Sequence, residues 1–309
     1  MRVVVAGGAG FLGTHLCRAL LDRGDEVVAV DNLITGSKAN VELFAGHPGY
    51  SFQWADVTLP VLIDGPVGAV MNLASPASPV DFSSIPLEIL QVGSAGTKNL
   101  LDLALAKGAR YFQASTSEVY GDPAEHPQAE TYWGHVNPIG PRSVYDEAKR
   151  YAEALTMAYH RVYDLDVRVV RIFNTYGPHM RPDDGRVVSN FITQALAGQP
   201  LTVYGDGGQT RSFCYATDEV AGFLALLGST YRWPVNVGNP DEFTVSELAR
   251  LVLEVTGSQS QIALVDLPED DPVRRCPDIS LARTVLGWAP TTPLRQGLEQ
   301  TVAWFESQR

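Results

Sequence analysis

The first 31 residues combine two strand-like segments and a glycine-rich turn in an order that few folds accommodate. Residues 2–6 are apolar and rich in valine, which is typical of a buried parallel strand. Glycines at positions 7, 10 and 13 follow directly and lead into an amphipathic helix to about residue 23. A second strand at residues 26–30 ends at Asp31. This order predicts a βαβ unit that binds a dinucleotide.

The turn and the acid also indicate which dinucleotide is bound. Gly7 and Gly10 let the backbone approach a pyrophosphate at the positive end of the helix. Asp31 can accept hydrogen bonds from an adenosine ribose and repel a 2′-phosphate, which favours NAD over NADP. Asp56 and Val57 follow a third predicted strand, residues 50–55, and suit the adenine edge; a turn or helix cap explains Asp56 equally well.

The strand and helix pattern continues along the first half of the chain. Further strands are predicted at residues 69–73, 110–115 and 167–172, and helices at about 87–107 and 143–163. The fold class is therefore α/β: a Rossmann-like doubly wound parallel sheet with a smaller C-terminal substrate-binding lobe. We expect an NAD-binding domain at 1–173, with 212–238 returning to it, and a nucleotide-sugar-binding lobe at 174–309.

Tyr145 and Lys149 open the predicted helix at 143–163. Their four-residue spacing puts both side chains on one helix face. A phenol that acts as a base near neutral pH needs its pKa lowered by about 3 units from about 10, which an ammonium and the positive nicotinamide ring can supply. Thr116, at the end of a predicted strand, would hold the substrate hydroxyl. Alone, the pair is equally consistent with a solvated helix face.

Loops and arginines indicate a ligand crevice. Residues 74–79 follow a parallel strand, where ligands bind in this fold, and the long loop at 122–142 is of a length that is usually functional. Arginines at 181, 186, 211 and 274–275 could form a pocket for a diphosphate and a carboxylate, although each singly is more often a surface salt bridge.

Composition excludes several classes of function. The net charge of −12 disfavours nucleic acid and anionic membranes as partners. Glycines interrupt the first apolar run, so no signal peptide is predicted, and no run is long enough to span a bilayer; a cytoplasmic protein is expected. Three widely spaced cysteines indicate reduced thiols rather than disulfides or zinc, and the six histidines show no ligand spacing, so no metal is predicted.

Together these residues resemble the extended short-chain dehydrogenase/reductases, and within them the UDP-glucuronate decarboxylase family. The resemblance covers essentially the whole chain. Its most discriminating blocks are Thr116-Ser117-Glu118 and residues 132–141. Other matching blocks are residues 7–13, 31–32, 73–79, 115–121, 145–149, 171–178, 184–191 and 201–211.

The resemblance implies roles for individual residues. Tyr145 is the acid/base, Lys149 supports it and the cofactor ribose, and Thr116 positions the substrate. Ser117 and Glu118 serve decarboxylation, and Arg275 orients the carboxylate or donates a proton. The expected NAD contacts are Gly7, Gly10, Phe11, Leu12, Asp31, Asn32, Thr35, Gly36, Asp56, Val57, Leu73, Ala74, Ser75, Val92, Ser115, Tyr145, Lys149 and Thr175. The expected substrate contacts are Pro76, Ser78, Asn174, Arg186, Val187, Asn190, Leu201, Val203, Tyr204, Gln209, Arg211 and Arg275.

The implied reaction is NAD-dependent decarboxylation of UDP-glucuronate to UDP-xylose through a UDP-4-keto-pentose, by a homodimer. Two departures from the family pattern are Gly93, where many members of the superfamily have asparagine, and Cys276, which replaces a frequent lysine. Alternatives are a nucleotide-sugar 4-epimerase, a 4,6-dehydratase, which would carry an Asp-Glu pair after the threonine, or a non-catalytic NAD(H)-sensing protein.

Overall fold

The computed structural model describes residues 1–266 and 274–309. Within them, the strands in chain order are β1 (Arg2–Ala6), β2 (Glu26–Asp31), β3 (Tyr50–Trp54), β4 (Ala69–Asn72), β5 (Arg110–Thr116), β6 (Val167–Ile172), β7 (Thr175–Tyr176), β8 (Leu201–Tyr204), β9 (Thr210–Ser212), β10 (Cys214–Tyr215), β11 (Pro234–Val237), β12 (Glu242–Thr244), β13 (Ile262–Val265) and β14 (Arg274–Arg275).

The α-helices of the same part of the chain vary from short connecting turns to one long helix beside the main sheet. In chain order they are α1 (Phe11–Asp22), α2 (Lys38–Glu42), α3 (Pro79–Ser84), α4 (Pro86–Gln91), α5 (Thr97–Lys107), α6 (Ser143–Tyr163), α7 (Val187–Leu196), α8 (Ala216–Gly228), α9 (Val245–Thr256), α10 (Ser280–Leu286) and α11 (Leu294–Ser307).

A seven-stranded parallel sheet forms the centre of the molecule. Its strand order is β11-β6-β5-β4-β1-β2-β3. The order reverses direction between β1 and β4, as in a doubly wound sheet, and such a switch point creates a crevice at the carboxyl ends of the strands. The predicted fold class is therefore confirmed. Each of the six strands predicted before residue 173 is present and ends within one residue of its expected position.

Apolar side chains on both faces of this sheet explain why its strands are buried. One cluster packs α1 and α8 against one face, and a second packs α5 and α6 against the other. The central valines of β1, for example, are fully buried. A third cluster joins α7, α9 and α11 to β8. Fully apolar strands of this kind need helices on both sides of the sheet, because neither face can be left to water.

The chain after β6 passes repeatedly between the main sheet and three small sheets. It leaves the main sheet to form β8 and β9, returns to pair β11 with β6, and leaves again to form β12, β13 and β14. In the small sheets, β9 lies between β12 and β14, β8 pairs with β13, and β7 pairs with β10. The division of the chain at residue 173 into an NAD-binding domain and a sugar-binding lobe stays a prediction.

The helix predicted at residues 87–107 is not continuous. It consists of α4, a π-helical turn at Val92–Gly96, and α5. The turn lies where α6 comes close: a Cβ on Gly93 would be 2.6 Å from the Cβ of Ala148. Only a residue without a side chain fits this contact. The π-helical turn therefore depends on tertiary packing, which amphipathic periodicity cannot indicate. Gly93 also leaves no room for the asparagine common at this position in the superfamily.

Candidate active site

A cavity opens at the carboxyl ends of β1, β4, β5 and β6. It is lined by residues of the glycine turn, by residues 73–78, by the segment after β5, by α6 and by residues 172–186. A second pocket adjoins it and shares Gly7, Gly10, Thr35, Leu73 and Ser75. The two pockets together give an elongated crevice at the position that the doubly wound topology predicts for a dinucleotide.

The glycine turn has the close backbone packing that a pyrophosphate site needs. Gly7 has φ of 80°, and a Cβ there would be 2.7 Å from the carbonyl carbon of Leu73. A Cβ on Gly13 would be 2.0 Å from the carbonyl oxygen of Gly7. The N-terminus of α1 has no side-chain cap, so no cap side chain competes for its first N–H groups, and Gly10, Phe11 and Leu12 line the crevice. These features fit the phosphates of NAD.

The second pocket has the polar groups expected of an adenosine site. Asp31 accepts hydrogen bonds from the backbone N–H of Ala9 at 3.0 Å and of Leu33 at 2.8 Å, which fix its carboxylate at the end of β2. Asn32 donates to Asp56 at 3.4 Å. The remaining predicted contacts that line this pocket are Val57, Ala74, Pro76 and Val92. The residues present therefore fit NAD, and the carboxylate of Asp31 is unsuited to a 2′-phosphate.

Tyr145, Lys149 and Thr116 meet in the first cavity. Lys149 donates from Nζ to the carbonyl oxygen of Ala114 at 2.9 Å, and its Nζ lies 5.6 Å from the centre of the Tyr145 ring. The phenol hydrogen-bonds with Thr116. All three side chains are buried. The helix α6 and the end of β5 thus bring these residues together at the wall of the cavity.

The protonation of Tyr145 depends on more than its lysine neighbour. Burial raises the pKa of the phenol to about 12, although the Arg186 guanidinium and the Thr116 hydrogen bond act in the opposite direction. Burial also lowers the pKa of Lys149 to about 8. The charges of the chain alone therefore do not make the phenol a base. The expected lowering of its pKa depends on the positive nicotinamide ring, whose charge would favour the phenolate.

Glu118 is held by two arginines. Arg275 pairs with it through both nitrogens of its fork, one of them at 2.8 Å from Oε2, and Arg142 donates to Oε2 at 2.8 Å. Although burial acts against ionisation, the two guanidinium groups lower the pKa of Glu118 to about 2. Glu118 and Ser117 line the cavity. Arg275 is outside this lining and contacts the cavity wall only by its ion pair with Glu118.

Asp146 is a buried carboxyl that sequence reasoning missed. Its Oδ1 has no hydrogen-bond partner among the described residues. Burial and the nearby Glu118 carboxylate raise its pKa to about 7, against the effects of Arg142 and Arg275. An acid in the first turn of a helix ordinarily indicates only a favourable interaction with the helix dipole. The sequence therefore gave no signal that this one is buried beside an ion-pair cluster.

We expect Asp146→Asn to flatten the pH dependence of stability. The pKa of Asp146 in the folded protein is about 7, against an ordinary value of 3.8, so between these values the folded state binds more protons than the unfolded state. The free energy of unfolding consequently falls as pH rises through this window. Asparagine cannot ionise, so this part of the decline should disappear. Urea unfolding across the window measures it; equal slopes for both proteins would contradict the expectation.

The arginines of residues 181–186 are paired with acids at the cavity wall. Arg181 donates to the Asp81 carboxylate at 3.0 Å. The Nε of Arg186 lies 3.3 Å from Asp184, and its NH2 group donates to the carbonyl oxygen of Ala77 at 2.9 Å. These pairs link α3 and the loop after β4 to the loop before α7. The acids Asp81 and Asp184 were not predicted as part of the site, and they line it.

The structure brings together many of the predicted contacts but not all of them. Those that also line the first cavity are Phe11, Leu12, Ser78, Ser115, Asn174 and Thr175. Outside the lining of both pockets, among the described residues, are Gly36, Val187, Asn190, Leu201, Val203, Tyr204, Gln209, Arg211 and Arg275. The roles of all these residues in ligand binding stay predictions.

Local packing explains the position of several residues outside the lining. Leu201 and Val203 are fully buried in the third apolar cluster, so their side chains cannot reach a ligand and only their backbone is available. Asn190 donates to the carbonyl oxygen of Gly185 at 3.0 Å, and Gln209 donates to that of Tyr204 at 2.7 Å. Arg211 is buried and donates to the carbonyl oxygen of Thr210 at 2.9 Å.

Two relatives that are similar to nearly the whole chain are UDP-glucuronic acid decarboxylases. The chain is 50% identical over 307 residues to UDP-glucuronic acid decarboxylase 1 of Xenopus tropicalis, covering 99% of this chain and 72% of that protein. It is 52% identical over 308 residues to UDP-glucuronic acid decarboxylase 4 of Arabidopsis thaliana, covering 100% of this chain and 69% of that protein.

No helix in the described part of the chain is long and apolar enough to cross a membrane.

Solved structures with the same fold are more distant in sequence. UDP-glucose 4-epimerase of Thermotoga maritima, solved with UDP-glucose, has a TM-score of 0.90 at 27% identity and covers 100% of this chain and 99% of its own. DesIV, the dTDP-glucose 4,6-dehydratase of Streptomyces venezuelae with NAD and TYD bound, has a TM-score of 0.89 at 29% identity, covering 100% and 98%. Residues 3–238 match the model of the NAD dependent epimerase/dehydratase family. The chain therefore belongs to this family of the extended short-chain dehydrogenase/reductases.

Proposed function

We propose that the chain catalyses the NAD-dependent decarboxylation of UDP-glucuronate to UDP-xylose through a UDP-4-keto-pentose. The observation that carries this proposal is the arrangement at the end of β5, where Thr116, Ser117 and Glu118 face the cavity beside Tyr145 and two arginines hold the Glu118 carboxylate. The decarboxylases at 50% and 52% identity support it over the epimerase and the dehydratase, which are at 27% and 29%.

The cavity residues account for the first half of this reaction. Tyr145, as the phenolate, accepts the proton of the sugar C4 hydroxyl, while Thr116 holds that hydroxyl in reach. Bound NAD supplies the acceptor and later the donor of a hydride at C4. Lys149 is fixed by the Ala114 carbonyl oxygen and lies one helical turn from the phenol, where it supports the cofactor ribose and the phenolate charge. The product of this step is a ketone at C4.

Loss of carbon dioxide follows from the position of that ketone. The C6 carboxylate is β to the C4 carbonyl, so its departure leaves an enolate whose negative charge rests on the C4 oxygen. Hydrogen bonds from Tyr145, now protonated, and Thr116 stabilise this oxygen, an effect of about 3 to 4 kcal/mol per donor. Tyr145 then returns its proton as C4 is reduced, so the chain ends the cycle in its starting state.

The low pKa of Glu118 bears on how a proton is returned to C5 in the proposed reaction. A carboxyl with a pKa of about 2 is ionised at neutral pH and is a poor direct proton donor. As a carboxylate it can instead accept a hydrogen bond from a water molecule that delivers a proton drawn from solvent, while Arg275 and Arg142 hold the carboxylate in place. In this scheme Arg275, which is outside the cavity lining, acts through Glu118.

The experiment that tests the proposal is incubation of the purified protein with UDP-glucuronate. We expect release of carbon dioxide and a product with the mass of UDP-pentose. An epimerase would give a product of unchanged mass without carbon dioxide, a dehydratase would give loss of water, and a non-catalytic NAD(H)-binding protein would give no turnover. Any of these three results with intact, NAD-loaded protein would overturn the proposal. Bound NADH beside a ketone product would reveal early release of the intermediate.

We further propose a cytoplasmic homodimer that pairs through helices beside the main sheet. Large apolar side chains are exposed on α4 and α6, among them Leu87, Leu90, Tyr151, Val162 and Tyr163. Such residues on neighbouring helices favour burial against a second copy. Light scattering should give twice the chain mass of 33.5 kDa. A concentration-independent monomer would contradict the proposed dimer without affecting the proposed reaction.

A further inference from the structure

Three side chains with metal-binding atoms meet at the surface, away from the cavity lining. They are His126 from the loop between β5 and α6, Glu242 at the start of β12, and Cys276 directly after β14. Their nitrogen, oxygen and sulfur ligand atoms all lie within 4.8 Å of one another. We propose that His126, Glu242 and Cys276 form a binding site for a thiophilic divalent cation of the zinc type.

The donor set and its dimensions fit this ion. Zinc binds cysteine sulfur, histidine nitrogen and carboxylate oxygen at about 2.0 to 2.3 Å in tetrahedral geometry, which places neighbouring ligand atoms about 3.3 to 3.8 Å apart. The His126 Nε2 lies 2.8 Å from Glu242 Oε2, a hydrogen-bond distance. An ion between them replaces the shared proton and requires only a small separation of the two side chains. With three protein ligands, the fourth position is left for water.

Groups around the three ligands hold them in place. Glu242 accepts a hydrogen bond at its other oxygen from the Thr210 hydroxyl at 2.7 Å. The backbone of Cys276 makes two hydrogen bonds with Gln128, each at 2.9 Å, and Gln128 is fully buried. Outer-shell contacts of this kind fix ligand orientation and raise metal affinity. The site therefore has ligands from three segments that are already fastened to one another.

Acidic side chains surround the Cys276 sulfur. The carboxylates of Glu242, Asp241 and Asp278 all interact electrostatically with this side chain. These carboxylates also attract a doubly charged cation, and coordination must displace the thiol proton. Arg275 is next in the chain, but its guanidinium is directed to Glu118.

Disulfide formation does not compete for Cys276. Cys17, Cys214 and Cys276 are all free and buried. The wide separation of the three ligands along the chain explains why sequence spacing gave no indication of a metal site. Because Cys276 follows Arg275 directly, an occupied site would also tie the segment that holds Glu118 to the loop of His126. The proposal of a site does not depend on the proposed reaction.

Zinc and cobalt binding by tag-free, chelator-treated protein tests the proposal. Calorimetry with ZnCl₂ should show one equivalent bound, and Co²⁺ should give a thiolate-to-metal charge-transfer band. Cys276→Ser and His126→Gln should each weaken Zn²⁺ binding by about 10- to 100-fold or more, on the scale seen for disturbed metal sites. His47→Gln, which changes an exposed histidine elsewhere, should leave it unchanged.

The outcomes that would overturn the proposal are distinct. Failure of Zn²⁺ and Co²⁺ to bind saturably, a Co²⁺ spectrum without the thiolate band, or unchanged affinity in Cys276→Ser would each exclude this site. If the variants and the parent protein have the same unfolding temperature in chelator, weaker binding reflects the lost metal ligand and not a damaged fold. Glu242→Gln offers a second variant at an exposed position should Cys276→Ser prove unstable.

Discussion

Tyr145→Phe should lower the turnover number by about 10²- to 10⁴-fold, the usual effect of removing one acid/base group. Phenylalanine keeps the ring, which stacks on Phe82 with centroids 5.0 Å apart, so the packing of α6 against α3 is preserved. It removes the oxygen that accepts the C4 proton and that later stabilises the enolate. The bound NAD content and the thermal unfolding temperature should remain those of the parent protein.

A matched control lies on the same helix. Tyr159 also has a hydrogen-bonded phenol, at 2.5 Å from Asp102, but it is outside the cavity lining. Tyr159→Phe should therefore leave turnover close to that of the parent. Rates of carbon dioxide release with saturating UDP-glucuronate measure both variants. Full activity in Tyr145→Phe would remove Tyr145 from the acid/base role.

Glu118→Gln should reduce turnover by about 10²-fold while changing the Michaelis constant much less. The neutral amide cannot hold two guanidinium groups, so the side chain at position 118 loses the two ion pairs that fix it in the cavity wall. Removing one partner from a buried ion pair also costs about 3 to 5 kcal/mol of stability, because the remaining charge is left without compensation. We therefore expect a lower unfolding temperature together with the loss of turnover.

Stability and catalysis can be separated with a second carboxylate that several arginines share. Asp166 pairs with Arg110 and Arg168, each at 2.6 Å, and with Arg232 at 3.5 Å, outside the cavity lining. Asp166→Asn should lower stability while turnover, measured well below the unfolding temperature, stays close to normal. An unchanged turnover number with a raised Michaelis constant in Glu118→Gln would show that Glu118 serves substrate binding instead.

The fold was largely predictable because its signals are local. Several strands of the main sheet, such as β1 and β2, are short apolar runs. The turn at Gly7 needs a positive φ, which glycine adopts most readily. The interruption of the helix at Val92–Gly96 was not predictable, because it depends on the contact between Gly93 and Ala148 on another helix. Periodicity describes one helix at a time and contains no information about such a contact.

In the candidate site, too, local features were predictable and tertiary contacts were not. Tyr145 and Lys149 are one helical turn apart, and Thr116 ends a parallel strand, so local rules predict that they meet. The pairing of Arg142 with Glu118 and the burial of Asp146 depend on how a loop, β14 and α6 pack together. Likewise, Leu201 and Val203 match a family motif, but only their burial reveals that their side chains serve the core.

The chain passes repeatedly between the main sheet and the small sheets, and this limits how small molecules can enter and leave the cavity. Between β6 and β12, three connections, from β6 to β7, from β10 to β11 and from β11 to β12, link the main sheet to the small sheets. A wide hinge motion would have to bend all three at once, whereas a domain on a single linker swings freely. Small molecules should therefore enter and leave by local loop displacement, and a half-processed sugar has little opportunity to escape before its final reduction.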